Sequence, residues 1–172
     1  VSKDPKININ KVGITGWSRG GAISIMASEK KLRDALIDKN LFFAAAQPRS
    51  PPCWSIGMFN NPTPIPETKT WMVLGGADNY TAAEPCVELG KKIKANGGNI
   101  EVTVKKGWHH GFTANYEKEW EKDSMVFTNC PGFFTNDDGT TSSSDPNYKW
   151  AKSCWLDKCI KRGAHVVGDK GK

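Results

Sequence analysis

The stretch "KVGITGWSRGGAISIMA", residues 11–27, decides the fold because it changes from a strand pattern to a helix pattern at one serine. The segment from Val12 to Thr15 is short and rich in β-branched residues, which is typical of a buried strand. Residues 19–31 carry apolar side chains at helical spacing, which predicts a helix. Ser18 lies between the two, so the pattern Gly-x-Ser-x-Gly marks a tight corner. Such a corner is either a simple turn or the place where a nucleophile is presented.

The chain downstream of this corner continues to alternate strands with helices. Short apolar runs predict buried strands over residues 41–46, 70–74 and 100–104. The sequence "TAAE", residues 81–84, has the form of a capping box that opens a helix, and "NGG" at 96–98 ends that helix. Strands joined by helices or long connections favour an α/β fold, in which a parallel sheet carries helices on both faces.

Two segments depart from this alternation, within a chain whose length suits one domain. The prolines of residues 47–67 predict no regular structure there. In the last third of the chain the pattern weakens, and we predict a loop at 136–147 and a short helix at 148–162. We therefore assign the α/β pattern to residues 1–120 and a loop with a closing helix of the same domain to residues 121–172.

The composition predicts a globular protein without a nucleic-acid or membrane partner. Hydrophobic residues make up 38% and charged residues 24% of the chain, which is sufficient for a packed core. No apolar run approaches the roughly 20 residues that would span a bilayer. The net charge of +6 comes from scattered basic residues, without a basic stripe that alternates with aromatic residues, so we predict no nucleic-acid contact.

Three predicted strands end near a reactive side chain, in the order Ser18, Asp78 and His110. The carboxyl ends of parallel strands meet at one edge of a sheet, so we expect these side chains to lie together. A serine hydroxyl needs a histidine to take its proton, and that histidine needs a carboxylate to orient it. The order Ser…Asp…His is the one found in α/β-hydrolases. The backbone N–H of Arg19, at the start of the helix, would stabilise a developing oxyanion.

Simpler roles remain open for each of these residues. Ser18 could be a plain turn residue, and Asp78 could serve only to start a helix. His109 could be the base in place of His110, and we expect the other histidine to shape the substrate pocket together with Trp17. The histidine pair has no third ligand at a diagnostic spacing, so we predict no metal site.

Three blocks of the sequence, "GITGWSRGG", "GGADNYTAAEPC" and "GWHHGFT", together resemble one family. They are similar to the dienelactone hydrolase family of α/β-hydrolases, and the resemblance extends over residues 7–118. It implies Ser18 as the nucleophile, Asp78 as the triad acid and His110 as the base, with no cofactor and a small-molecule ester as the substrate. Dienelactone hydrolase itself carries a cysteine where this chain has Ser18, which favours a general ester-cleaving relative.

The five cysteines fit two disulfides and one free thiol in an oxidising compartment, periplasmic or extracellular. Buried free thiols in the cytosol are the alternative. The "PPC" that ends at Cys53, and Cys86, look like features of secreted members of the family, which implies a Cys53–Cys86 bridge. A second bridge is predicted between Cys130 and either Cys159 or Cys154.

The resemblance also implies strands upstream of the nucleophile. In this fold the nucleophile follows the fifth strand, whereas Ser18 follows the first strand predicted here. We therefore expect the chain to be the C-terminal part of a longer hydrolase, without the N-terminal strands and without the loop that donates the second oxyanion N–H. The resulting unpaired strand edge would make residues 1–172, on their own, poorly soluble and inactive.

Two other functions remain open at this point. A serine peptidase of the prolyl-oligopeptidase type shares the fold and the order of the triad, although Trp17 and Arg19 beside the nucleophile favour the esterase. A hydrolase-like binding protein that has lost catalysis is the third possibility. The sequence predicts no particular oligomeric state.

Overall fold

A computed structural model describes residues 4–54, 58–114, 119–147 and 159–167 of the chain. Its centre is a sheet of four strands, in which each strand runs parallel to its neighbours and follows chain order. The strands are β1 (Gly13–Trp17), β2 (Ala45–Arg49), β3 (Lys69–Gly75) and β4 (Ile100–Lys105). This sheet, with the helices that connect its strands, confirms the predicted α/β-hydrolase class for the described residues.

Strand β2 lies further along the chain than the run at 41–46 predicts, and it extends into the proline-containing segment. Pro48 is part of this strand and is buried. A proline has no N–H to donate, and the pairing of β2 with β3 is interrupted at Gln47 and Pro48 while it continues on both sides. The prediction that prolines exclude regular structure from residue 47 onwards was therefore wrong for the first three residues.

The helix predicted over residues 19–31 is two helices, α1 (Arg19–Met26) and α2 (Lys30–Leu36). Glu29 separates them in an extended conformation. Its side chain is buried, and its carboxylate oxygens each accept a hydrogen bond from the Thr63 N–H at 2.9 Å. A buried carboxylate needs such donors, so this tertiary contact ends the helix where local sequence would continue it.

Helix α3 (Glu84–Ala95) ends where the sequence predicted, but it begins differently. Asn96 caps the helix, and Gly97 follows at φ +88°, in the left-handed region that glycine tolerates. At the other end the cap residue is Ala83, without a side-chain cap bond, so the capping box predicted at 81–84 does not form. The Thr81 hydroxyl bonds to other groups, described below.

Helices α1 and α3 cover the same face of the sheet. Ala22 and Ile25 from α1, Leu89 and Ile93 from α3, and Met72 and Leu74 from β3 form one core. The second face of the sheet is polar and exposed in part: the Thr15 hydroxyl donates to the Gln47 carbonyl, and Trp71 Nε1 donates to Thr103. The prediction of helices on both faces is thus met, within the described residues, on the face that α1 and α3 cover. Among the described helices, none is long and apolar enough to cross a membrane.

The C-terminal region contains strands where the sequence predicted a loop and a helix. Strands β5 (Glu119–Val126) and β8 (Lys161–Val167) pair antiparallel, and β6 (Phe133–Thr135) pairs with β7 (Thr141–Ser143). The prediction for residues 121–172 was therefore wrong at all four strands. Most of β5 is exposed, so its side chains lack the apolar alternation by which a strand is recognised. Of the helix predicted at 148–162, residues 148–158 lie outside the described residues, and Lys161 and Arg162 belong to β8.

Both disulfide predictions are confirmed, with bridges Cys53–Cys86 and Cys130–Cys159. The alternative partner of the second bridge, Cys154, lies outside the described residues. The first bridge is fully buried in the main core, where it ties the proline-containing segment to the inner face of α3.

We expect the double substitution Cys53→Ala/Cys86→Ala to lower the free energy of unfolding by about 3–4 kcal/mol, measured by urea denaturation. The bridge joins cysteines with a sequence separation of 33 residues, and removing it raises the conformational entropy of the unfolded chain. Dithiothreitol added to the wild type should produce a loss at least as large. An unchanged denaturation midpoint in the double variant would contradict a stabilising role for this bridge.

Candidate active site

Ser18 occupies a strained corner between β1 and α1. Its backbone has φ 56° and ψ −118°, and positive φ is uncommon for a residue with a side chain. The Ser18 N–H donates to the Arg49 carbonyl at 2.8 Å, and the Ser18 carbonyl accepts from Ala22 N–H at 3.1 Å. The neighbouring strand and the first turn of the helix thus hold the serine in this conformation. This is the geometry of a nucleophile elbow.

The glycines around Ser18 are not equivalent. A Cβ atom on Gly16 would lie 2.2 Å from the backbone of Gly20, and one on Gly21 would lie 2.9 Å from the Arg49 carbonyl oxygen. A Cβ atom on Gly20 would meet nothing within 4 Å. The corner therefore requires glycine at 16 and 21, because backbone segments approach closely there, and does not require it at 20.

Asp78 follows β3 and is 7% exposed. Its Oδ1 accepts hydrogen bonds from the N–H groups of Tyr80 at 3.0 Å and Thr81 at 2.8 Å, which fixes the carboxylate in a local turn. Its Oδ2 lies 2.8 Å from Nδ1 of His110. Helix α3 begins only at Glu84, so the carboxylate orients a histidine and does not cap that helix.

His110 follows β4 and is 1% exposed. Because an ionised carboxylate only accepts hydrogen bonds, the contact of His110 with Asp78 assigns the proton to Nδ1 and leaves Nε2 unprotonated. Trp17, next to Ser18, donates from Nε1 to the His110 carbonyl at 2.7 Å, and the two rings are 5.0 Å apart. The hydrogen bonds of the described residues do not join the Ser18 and His110 side chains directly. Catalytic hydrogen bonds often close only with bound substrate.

Thr81 is the residue of this site that sequence reasoning missed. Its Oγ1 lies 2.9 Å from Asp78 Oδ2 and 2.9 Å from His110 Nδ1, and it donates to the Ser50 carbonyl at 3.3 Å. The only signal in the sequence is the spacing Asp-x-x-Thr, and the capping-box pattern that includes the same threonine obscured it.

The other predicted site residues surround this group. Trp17 is 38% exposed beside Ser18, and the Arg19 N–H belongs to the first turn of α1, where N–H groups have no partner within the helix. His109 does not contact Asp78 by any described hydrogen bond. Its ring lies 4.9 Å from that of His165, which is itself 4.9 Å from Trp120. His109 is therefore part of an aromatic cluster with the C-terminal sheet.

The model of the dienelactone hydrolase family matches residues 1–130, more than half of the chain. The chain belongs to the dienelactone hydrolase family. This confirms the resemblance of the three sequence blocks, and among proteins with curated descriptions none matches the chain at a significant level.

Three of the solved structures that are similar to this member of the dienelactone hydrolase family come from hydrolases. A thermostable esterase is 22% identical with a TM-score of 0.42, covering 59% of this chain and 24% of its own. MGS-M1, an α/β hydrolase enzyme from a Medee basin deep-sea metagenome library, is 13% identical with a TM-score of 0.49, covering 64% and 44%. Est2, an esterase from the Planctomycetes species Thermogutta terrifontis, is 18% identical with a TM-score of 0.45, covering 60% and 46%. The chain thus spans between about a quarter and a half of these proteins.

For this member of the dienelactone hydrolase family we expect Gly16→Ala to be damaging and Gly20→Ala to be tolerated. The Cβ atom at position 16 would collide with backbone, which costs about 1–3 kcal/mol of stability and displaces Ser18. At position 20 the added Cβ has open space in a helix, where alanine is favoured by about 0.5–1 kcal/mol. Thermal unfolding of the two variants measures the difference. Equal melting temperatures would show that the close approach at Gly16 is not a constraint.

Proposed function

We propose that the protein is a serine hydrolase that cleaves a carboxylic ester through an acyl-enzyme. The observation that carries this proposal is the buried 2.8 Å contact between His110 Nδ1 and Asp78 Oδ2 at the sheet edge where Ser18 forms a strained corner. Membership in the dienelactone hydrolase family supports the hydrolase class.

In the first half of the proposed reaction, Ser18 Oγ attacks the carbonyl carbon of the ester while His110 Nε2 takes the hydroxyl proton. The Arg19 N–H donates a hydrogen bond to the negative oxygen of the tetrahedral intermediate. The carbon–oxygen bond to the alcohol then breaks, and His110 passes its proton to the departing oxygen. The acyl group remains on Ser18.

In the second half, water attacks the acyl carbonyl and gives a proton to His110. The bond from the carbonyl carbon to Ser18 Oγ breaks, the proton returns to this oxygen, and the carboxylic acid leaves. Asp78 stays ionised throughout and stabilises the imidazolium that forms twice in the cycle. Because a protonated histidine cannot accept the serine proton, activity should fall on the acid side.

We expect Ser18→Ala to reduce ester turnover by about 10⁴-fold or more in the whole protein, with substrate binding retained. A fluorophosphonate probe followed by peptide mapping should label Ser18 in the wild type and leave the variant unlabelled. Ser28→Ala is the matched control, since its hydroxyl donates to the Ser24 carbonyl of α1, and it should keep full activity. Wild-type turnover in Ser18→Ala would show that Ser18 is not the nucleophile. Cleavage of peptide anilides in preference to p-nitrophenyl esters would favour the peptidase.

We expect His110→Ala to lose as much activity as Ser18→Ala, because the members of such a triad act as a unit. His109→Ala should retain most of the activity, because the His109 ring packs against His165. The measurement is kcat for a p-nitrophenyl ester in both variants. The opposite ranking would assign the base to His109.

A further inference from the structure

The Thr81 hydroxyl lies buried among three polar groups of the site, from three different segments of the chain. Thr81 is 4% exposed, and Ser50 and His110 are each 1% exposed. We propose that Thr81 is a positioning residue that holds the Asp78 carboxylate and the His110 ring in the geometry for proton transfer. This inference rests on the proposed function, since it assigns a role within the same Ser-His-Asp triad.

Proton accounting limits what this hydroxyl can do. It has one proton to donate and lone pairs with which to accept. The Nδ1 proton of His110 faces Asp78 Oδ2 at 2.8 Å and Thr81 Oγ1 at 2.9 Å, so both oxygens accept from it. The reverse arrangement, in which the hydroxyl donates to an unprotonated Nδ1, would set the nitrogen lone pair against the carboxylate. The two acceptors at Nδ1 therefore fix the orientation of the His110 ring and leave Nε2 without a proton.

The hydroxyl proton has two acceptors of its own, the Asp78 Oδ2 at 2.9 Å and the Ser50 carbonyl at 3.3 Å. A donation to Asp78 adds a fourth donor to a carboxylate that already accepts from His110 Nδ1 and from the N–H groups of Tyr80 and Thr81. Each such bond opposes rotation of the carboxylate away from His110. The Ser50 carbonyl, directly after β2, is the second and more distant acceptor for the same proton. Thr81 thus connects the ends of three strands at the reacting group.

The alternative role for Thr81 is purely structural, as a buried hydroxyl that merely satisfies its neighbours. A helix-capping role is excluded, since α3 is capped by Ala83 without a side-chain bond. A positioning role and a packing role differ in what they change: the first alters turnover through His110 and Asp78, and the second alters stability alone.

The test replaces Thr81 with valine, which keeps the shape and removes the hydroxyl, and with serine, which keeps the hydroxyl. With a p-nitrophenyl ester and the whole protein, we expect Thr81→Val to lower kcat about ten- to a hundredfold while KM changes less than about threefold. Thr81→Ser should restore most of kcat. Should the valine variant fail to fold, as judged by circular dichroism, Thr81→Ala takes its place.

The same substitution in an Asp78→Asn background provides the control. If Thr81 acts through Asp78 and His110, adding Thr81→Val to Asp78→Asn should lower the residual kcat by less than about threefold. A full additive loss in the double variant, or a wild-type kcat in Thr81→Val, would overturn the inference and leave the proposed function intact. A wild-type protein that neither turns over esters nor reacts at Ser18 with the fluorophosphonate would overturn both.

Discussion

The buried hydrogen bond between His110 and Asp78 is the interaction on which the rest of the site depends. The two residues lie on loops that follow adjacent parallel strands, β3 and β4, so the bond forms only when these strands pair in register. Both side chains are buried, and an ionised carboxylate without donors would be costly there. The chain meets this demand with the N–H groups of Tyr80 and Thr81 and with the Thr81 hydroxyl. The local turn after β3 is therefore shaped by the carboxylate that it contains.

The proposed role of Ser18 as the nucleophile accounts for the number of hydrogen bonds in this group. A cysteine forms an appreciable fraction of thiolate near neutral pH and is nucleophilic by itself, whereas a serine hydroxyl requires a base at the moment of attack. In the mechanism proposed here the imidazolium of His110 must form and discharge twice per turnover. A carboxylate that is held by three donors besides His110 stabilises that cation without having to reorient. The substitution of cysteine by Ser18 therefore fits a site with a firmly oriented base.

The sequence predicted those features that depend on local pattern. The corner at Ser18, the strands that precede Asp78 and His110, and the inner face of α3 all follow from periodicity and from glycine positions. The features that it missed depend on contacts between distant segments. Glu29 interrupts the helix because its side chain bonds to Thr63. Pro48 fits in a strand because the pairing of β2 with β3 is interrupted there. Strand β5 forms by pairing with β8. Thr81 was assigned to a helix cap because its true partners, Ser50 and His110, are 31 and 29 residues away.

The first disulfide connects the stability of the core to the geometry of this site. Cys53 follows Ser50 by three residues, through two prolines that restrict the backbone between them. Its partner Cys86 lies in the first turns of α3, five residues after Thr81. The bridge therefore holds together the two short segments that supply the Ser50 carbonyl and the Thr81 hydroxyl. A hydrogen bond of 3.3 Å between groups on separate loops would be weak if those loops moved independently. The buried bridge limits how far these two segments can separate, and it therefore favours the Ser50 contact and the position of the hydroxyl that faces His110.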